Sequence, residues 1–130
     1  VIVIDASVLA TVVGDDGGDG RRARHELRAA VDVAAPDLVD VETVAVLRKQ
    51  WLAGHLSDRR FSVAIDDLAD LAFDRYPTRP LMRRARALRA SVTPYDAAYV
   101  ALAETLDCAL LTTDRKLANA HGPRCQIKTL

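Results

Sequence analysis

The apolar residues of this chain change period repeatedly along its length. Short uninterrupted runs such as Val1-Ile2-Val3-Ile4 and Cys108 to Thr112 give way to stretches spaced like one face of a helix, and back again. Uninterrupted runs of that length suit strands buried on both faces, and helical spacing between them suits crossover helices. The pattern predicts an α/β fold: a central, mostly parallel, twisted sheet flanked by about seven helices. At 130 residues, half of them apolar, the chain suffices for one core and is short for two, so residues 1–130 read as one domain.

The elements follow from local signals. Val1 to Ile4 reads as a strand and Ala6 to Val13 as a short helix, with Gly14 to Gly20 a flexible loop by composition. Arg21 to Val31 is amphipathic and leads to a brief Val33-Ala34-Ala35 strand; Pro36 and Asp37 open a strong helix to about Ala53, closed by Gly54. Ser57 is placed to cap a helix to Ala72, Phe73 to Tyr76 to form a strand, and Pro80 to open an arginine-rich helix. A helix from Pro94 to Leu106 puts Tyr95, Tyr99, Leu102 and Leu106 on one stripe, and a helix from Asp114 to His121 and a last strand from Gln126 complete the chain.

Composition excludes several classes. No run reaches the roughly 18 apolar residues of a membrane span, and the first apolar run is too short and too soon charged for a signal peptide. The expectation is a soluble, cytoplasmic protein with Cys108 and Cys125 as reduced packing residues and no histidine metal pattern. Eighteen acidic and eighteen basic side chains balance, so attraction to a polyanion must be local. From Arg75 to Arg89 six arginines occur with no acid among them, and Arg79, Arg83 and Arg86 would share a helix face able to track phosphates; a solvated helix surface is the alternative.

Four acids lie where a surface charge is not expected. Asp5 follows the first apolar strand and Asp114 follows Leu110-Leu111-Thr112-Thr113, at the carboxyl edge where open parallel sheets bind ligands; each could also be a helix N-cap. Glu42 has Leu38, Val41, Ala45 and Val46 as its helical neighbours, an apolar setting that costs several kcal/mol without compensation, whereas Asp40 can face water. Asp96 lies in the first turn of its helix, where the dipole favours an acid anyway. Four carboxylates on one rim would repel by roughly 3 to 4 kcal/mol per close pair at an effective dielectric near 20. An all-oxygen set suits hard divalent ions, Mg²⁺ or Mn²⁺, whose shell is completed by waters and substrate phosphates, so phosphodiester cleavage is the chemistry that follows.

These residues carry a family resemblance along the whole chain. Val3-Ile4-Asp5-Ala6-Ser7, Pro36-Asp37-Leu38-Val39-Asp40-Val41-Glu42, Tyr95-Asp96-Ala97-Ala98-Tyr99-Val100-Ala101-Leu102-Ala103 and Leu111-Thr112-Thr113-Asp114-Arg115-Lys116-Leu117 together resemble the PIN-domain ribonucleases, specifically the VapC toxins of bacterial toxin-antitoxin pairs. The resemblance implies a PIN fold and an endoribonuclease using one or two Mg²⁺ or Mn²⁺ ions, with Asp5, Glu42, Asp96 and Asp114 as the acidic quartet. It makes Ser7 and Thr113 the small hydroxyl positions beside the site; Asp5, Asp96 and Asp114 are then expected to hold the metal, directly or through waters, while Glu42 completes the cluster or orients the attacking water. It further implies an RNA substrate, a homodimer, and a VapB-like antitoxin that assembles with the toxin into a heterotetramer or larger particle. A further acid of some relatives is missing; Asn119 is either its neutral replacement or a helix-surface amide. Two other classes compete: a receiver-like phospho-acceptor domain, disfavoured because Asp5 lacks an acidic neighbour, and a catalytically silent RNA- or partner-binding scaffold.

Overall fold

The structure, a computed structural model, describes residues 1–130. Five strands form one sheet: β1 (Ile2–Ile4), β2 (Val33–Pro36), β3 (Asp74–Tyr76), β4 (Ala109–Thr112) and β5 (Ile127–Thr129), in spatial order β3-β2-β1-β4-β5. Every pairing is parallel, with Val3 opposite Ala34 and Leu110, and Thr112 opposite Thr129. The expected mostly parallel sheet is therefore wholly parallel.

Seven α-helices make the crossovers: α1 (Ala6–Gly14), α2 (Gly18–Ala29), α3 (Val39–Leu52), α4 (Asp58–Asp70), α5 (Met82–Leu88), α6 (Pro94–Thr105) and α7 (Arg115–Ala118). The chain steps outward from β1 to β2 to β3 and then crosses back to β4. Right-handed crossovers place α1 to α4 over one face and α5 and α6 over the other. The reversal lies between β1 and β4, which opens a crevice at their carboxyl ends. A core of 26 buried residues fills the layers, including Val3, Ile4, Leu9, Leu47, Tyr99 and Leu110.

Several boundaries differ from expectation: α4 stops at Asp70 and α7 at Ala118, short of Ala72 and His121, and three others have a clear local cause. Gly18, Asp19 and Gly20 form the first turn of α2 instead of extending the loop. A Cβ on Gly20 would stand 1.8 Å from the Asp15 carbonyl oxygen, so this glycine serves close packing more than flexibility. Pro36 ends β2 opposite Tyr76, and the helix begins later, at Val39. The pairing of β2 with β1 ends at Ala34, and the bond to β3 is carried by the Asp37 N–H, so the N–H that Pro36 lacks is not needed, which spacing alone did not reveal. Pro80 falls within a single 3-10 turn, Arg79–Leu81, so Arg79 precedes α5 and does not belong to it.

Surface assignments also shift. On α3 the buried stripe is Val39, Thr43 and Leu47, while Val41 is 76% exposed and Ala45 is exposed as well. Asp40 is not left to water; it takes a two-pronged ion pair from Arg75 at 2.7 and 3.0 Å. Tyr95 leaves the stripe it was assigned and is exposed. Trp51 packs on Phe61 of α4 with ring centroids 6.1 Å apart, and Leu56 is buried, but Leu52 remains open.

Candidate active site

The strand-end acids are held by hydroxyls. Asp5, 5% exposed, ends β1; its Oδ1 accepts the Ser7 hydroxyl at 2.5 Å and the Val8 N–H at 3.1 Å, and its Oδ2 accepts the Thr112 hydroxyl at 2.5 Å. Thr112 in turn accepts the Asp114 N–H at 3.0 Å, and Ser7 accepts the Thr113 N–H at 3.1 Å. Two hydroxyls thus lock β1 to β4 across the crevice. Three of the roughly four acceptor positions on the Asp5 carboxylate are filled, leaving about one for the rim.

Asp5 and Asp114 are also helix caps, as the plainer readings had it: Asp5 caps α1 through Val8, and Asp114 caps α7 by accepting the Lys116 N–H at 2.8 Å. Capping fixes each carboxylate at its strand end, so the two roles are compatible. Asp96 stands half-buried in the first turn of α6, with its N–H on the Thr93 hydroxyl. Three residues on, the same helix carries Tyr99, whose buried hydroxyl donates to Glu42 Oε1 at 2.6 Å. Glu42 is half-buried through this contact and not through its neighbours Val41 and Ala45, which face outward.

Electrostatics place the acids on one rim. Burial lifts the pKa of Asp5, and its hydroxyl and N–H donors offset part of the rise. Burial likewise lifts Asp96, and the charges of Asp5 and Asp114 add to it. Glu42 rises through burial, against the hydrogen bond from Tyr99 and with the charges of Asp96 and Asp5. Burial and the Glu42 contact drive the Tyr99 hydroxyl upward, so it stays protonated and donating. The protein's four ion pairs, Arg22–Asp19, Arg60–Asp16, Arg75–Asp40 and Arg84–Glu104, all leave this rim without a cation.

No three side chains converge closely enough to ligate one ion by themselves. The residues still fit a hard divalent cation that keeps part of its water shell: every donor is oxygen, the negative charge has no protein partner, and Asp5 retains an open acceptor position.

The supporting positions separate. Ser7 joins the network; Thr113 contributes its N–H while its residue is exposed; Asn119 is exposed and donates from Nδ2 to the Arg115 carbonyl at 2.8 Å, closing α7. Thr112 and Tyr99 are the site residues that sequence reasoning missed. A threonine on the inward phase of an apolar strand, and a tyrosine one turn beyond Asp96, were the available signals. Arg79, Arg83 and Arg86 are exposed, and Arg83 lies beside Ala101 and Glu104, about 8 to 12 Å along α6 from Asp96.

The family profile described as the PIN domain matches residues 2–122. This chain belongs to the PIN domain family. Among curated proteins it is similar to Ribonuclease VapC1 of Mycobacterium tuberculosis, 39% identical over 127 residues that cover 97% of this chain and 95% of the relative. Ribonuclease VapC12 of the same organism is 36% identical, with 98% of each chain covered. These matches make the chain a VapC-type PIN domain. Its fold is shared with PAE2754 from Pyrobaculum aerophilum, with a TM-score of 0.67 at 23% identity over 90% of this chain and 82% of that one. The Mycobacterium tuberculosis toxin VapC20, described as cleaving the sarcin-ricin loop, aligns with a TM-score of 0.62 at 18% identity, covering 85% of this chain and 87% of that one. Membership of the PIN family sets aside the receiver-like alternative.

Proposed function

We propose that this VapC-type PIN domain is a metal-dependent endoribonuclease, the toxin of a type II toxin-antitoxin pair, acting on RNA in the cytoplasm. The observation that carries the reading is the gathering of Asp5, Glu42, Asp96 and Asp114 at the crevice between β1 and β4 with no protein cation among them. Asp5, Asp96 and Asp114 would hold Mg²⁺ or Mn²⁺, in part through waters. When bound, the ion supplies positive charge at the phosphodiester and lowers the pKa of the attacking water.

The chain's own groups do the rest. Glu42, its pKa raised by burial, is suited to take a proton from the attacking water, and Tyr99 fixes its orientation. Ser7 and Thr112 hold Asp5 at the strand end, and Asp96 completes the rim from the opposite face of the sheet. In-line hydrolysis leaves a 5′-phosphate and a 3′-hydroxyl.

Partner binding is supported by α3, where Val41 and Leu52 are 76% and 59% exposed beside exposed Ala45. Such a stripe suits a second copy of the chain or a VapB-like antitoxin. No helix is long and apolar enough to cross a membrane.

The test is cleavage of end-labelled RNA by purified protein with Mg²⁺, in excess chelator, and as Asp5→Asn, in which asparagine still caps α1. Chelator and Asp5→Asn should each abolish most cutting. Undiminished cutting in chelator refutes the metal role, and a wild type that binds RNA without cutting it establishes the silent scaffold instead.

A further inference from the structure

The carboxylate rim that would cut RNA also repels it. Asp5, Glu42, Asp96 and Asp114 are acidic and lack a protein cation, and the whole chain carries a formal net charge of zero, so a polyanion has to be held by local positive charge close to the rim. Arg115 and Lys116 follow Asp114 on α7, and beyond them two arginine- or lysine-bearing surfaces could do this, on opposite faces of the sheet.

The α5 surface carries Arg79, Arg83 and Arg86. Arg83 lines a shallow pocket with Ala101 and Glu104, in the half of α6 remote from Asp96, and the neighbouring Arg84 is held by Glu104 and the Gly122 carbonyl.

The second surface is a cleft of about 480 Å³ between the first half of α2 and the carboxyl ends of β4 and β5. Arg21, Arg22 and His25 line it from the helix, Lys128 from β5, and Glu26 is the one acid on its wall. Arg22 is already paired with Asp19, but Arg21, His25 and Lys128 are exposed and take part in none of the four ion pairs. Leu111 lies on the cleft lining, and its carbonyl accepts the Asp5 N–H at 3.2 Å. Leu130, also on the lining, donates its N–H to the carbonyl of Thr112, the residue that seats Asp5. On its strand side the cleft thus reaches the carboxyl edge of the sheet, where Leu111 and Leu130 adjoin Thr112 and Asp5 follows β1.

We infer that the cleft between α2 and β5 holds the phosphate backbone of single-stranded RNA beside the scissile bond, with Arg21 and Lys128 as phosphate contacts and His25 as a further donor. This rests on the ribonuclease reading for the identity of the polyanion. Arg21 and Lys128 are positioning residues: they place the strand across the rim and leave the bond-breaking to the acids.

Counterion release gives the test, because each phosphate contact on a single strand contributes about 0.7 to the slope of log affinity against log salt. The probe is a fluorescein-labelled 20-nucleotide oligouridine, bound in excess chelator so that nothing is cut. The doubly substituted Arg21→Ala, Lys128→Ala protein should have a slope shallower by about 1.4, so that from 50 to 200 mM salt the wild type loses about sevenfold more affinity than the variant. Arg21→Lys with Lys128→Arg should keep the wild-type slope, and the triple Arg79→Ala, Arg83→Ala, Arg86→Ala protein should keep it too. An unchanged slope in the first variant, a slope lost in the triple variant instead, or wild-type binding that ignores salt would each overturn the assignment. Cleavage with Mg²⁺ is scored separately. RNA cut normally with the slope unmoved refutes the cleft and leaves the ribonuclease; slope loss without any cutting does the reverse.

Discussion

Replacing Thr112 by valine keeps the shape of a fully buried side chain and removes only its hydroxyl. Two hydrogen bonds go with it, the donation to Asp5 Oδ2 and the acceptance from the Asp114 N–H. A hydrogen bond to an ionised acceptor contributes about 1.5 to 3 kcal/mol, and the Asp114 N–H, belonging to an exposed residue, recovers most of its loss from water. The expected destabilisation is about 3 kcal/mol at pH 7, which for a domain of this size lowers Tm by roughly 12 °C. The sign with pH follows from Asp5, whose folded pKa already stands above its usual 3.8. Losing a donor raises it further, so the penalty is full above the variant's folded pKa and fades as pH falls through the two folded values, both above 3.8, below which Asp5 is protonated in either folded protein. Thermal melts at pH 7 and pH 3.5 measure this, with Thr112→Ser as the control that keeps the hydroxyl and loses one methyl, about 1 kcal/mol. If the valine and serine proteins melt together at pH 7, the hydroxyl does not seat Asp5 and the lock between β1 and β4 is wrong. Cleavage should fall in the valine protein and persist in the serine protein.

Three further outcomes are expected. Tyr99→Phe removes the donor to Glu42, so Glu42 rises further and the acid limb of kcat/KM against pH should move to higher pH; an unmoved limb would show that Glu42 takes no part in proton transfer. In chelated protein Asp5, Glu42 and Asp96 hold protons more tightly folded than unfolded, so stability should decline as pH rises from their usual values of 3.8 to 4.5 toward neutrality, and Mg²⁺ should restore Tm at pH 7 but not at pH 3.5; a Tm indifferent to Mg²⁺ at pH 7 would count against metal binding there. Arg84→Ala strands Glu104, which burial pulls up but Arg84, together with Arg124, holds below its usual 4.5. The pair is about four-fifths buried, so the loss should be about 2 to 3 kcal/mol at pH 7 and should vanish as pH falls through the folded value, which denaturant titrations at pH 7 and pH 3 would read.

Much of the architecture was legible because burial on both faces writes itself into β1 and β4 as unbroken apolar runs, and an acid ending such a run is conspicuous. Asp5 and Asp114 could be found that way. Glu42 was singled out on a weaker ground than the one that holds: Val41 and Ala45 turned out to be exposed, and the glutamate is covered by Tyr99, 57 positions away. Helical spacing reports which residues share a face without saying which face is buried. Thr112 stayed hidden because a threonine in a strand satisfies β propensity whatever its hydroxyl does. The register of β4 against β1, invisible in local sequence, decides that Thr112 and not Thr113 reaches the carboxylate. Gly20 shows the same limit, since a glycine needed for a close approach to Asp15 has the same local signature as one needed for a loop.

The bond between Thr112 and Asp5 spans 107 positions of chain, and β1 lies between β2 and β4 in the finished sheet. During synthesis β1 and β2 can pair long before β4 exists, but the carboxylate rim cannot close until Thr112 has cleared the ribosome. A nascent chain stalled before β4 would possess α1 to α6 and still lack Asp114 and the hydroxyl that fixes Asp5. The order of synthesis therefore delays closure of the carboxylate rim until β4 has emerged, and a chain that stops short of β4 carries Asp5 without the hydroxyl that seats it.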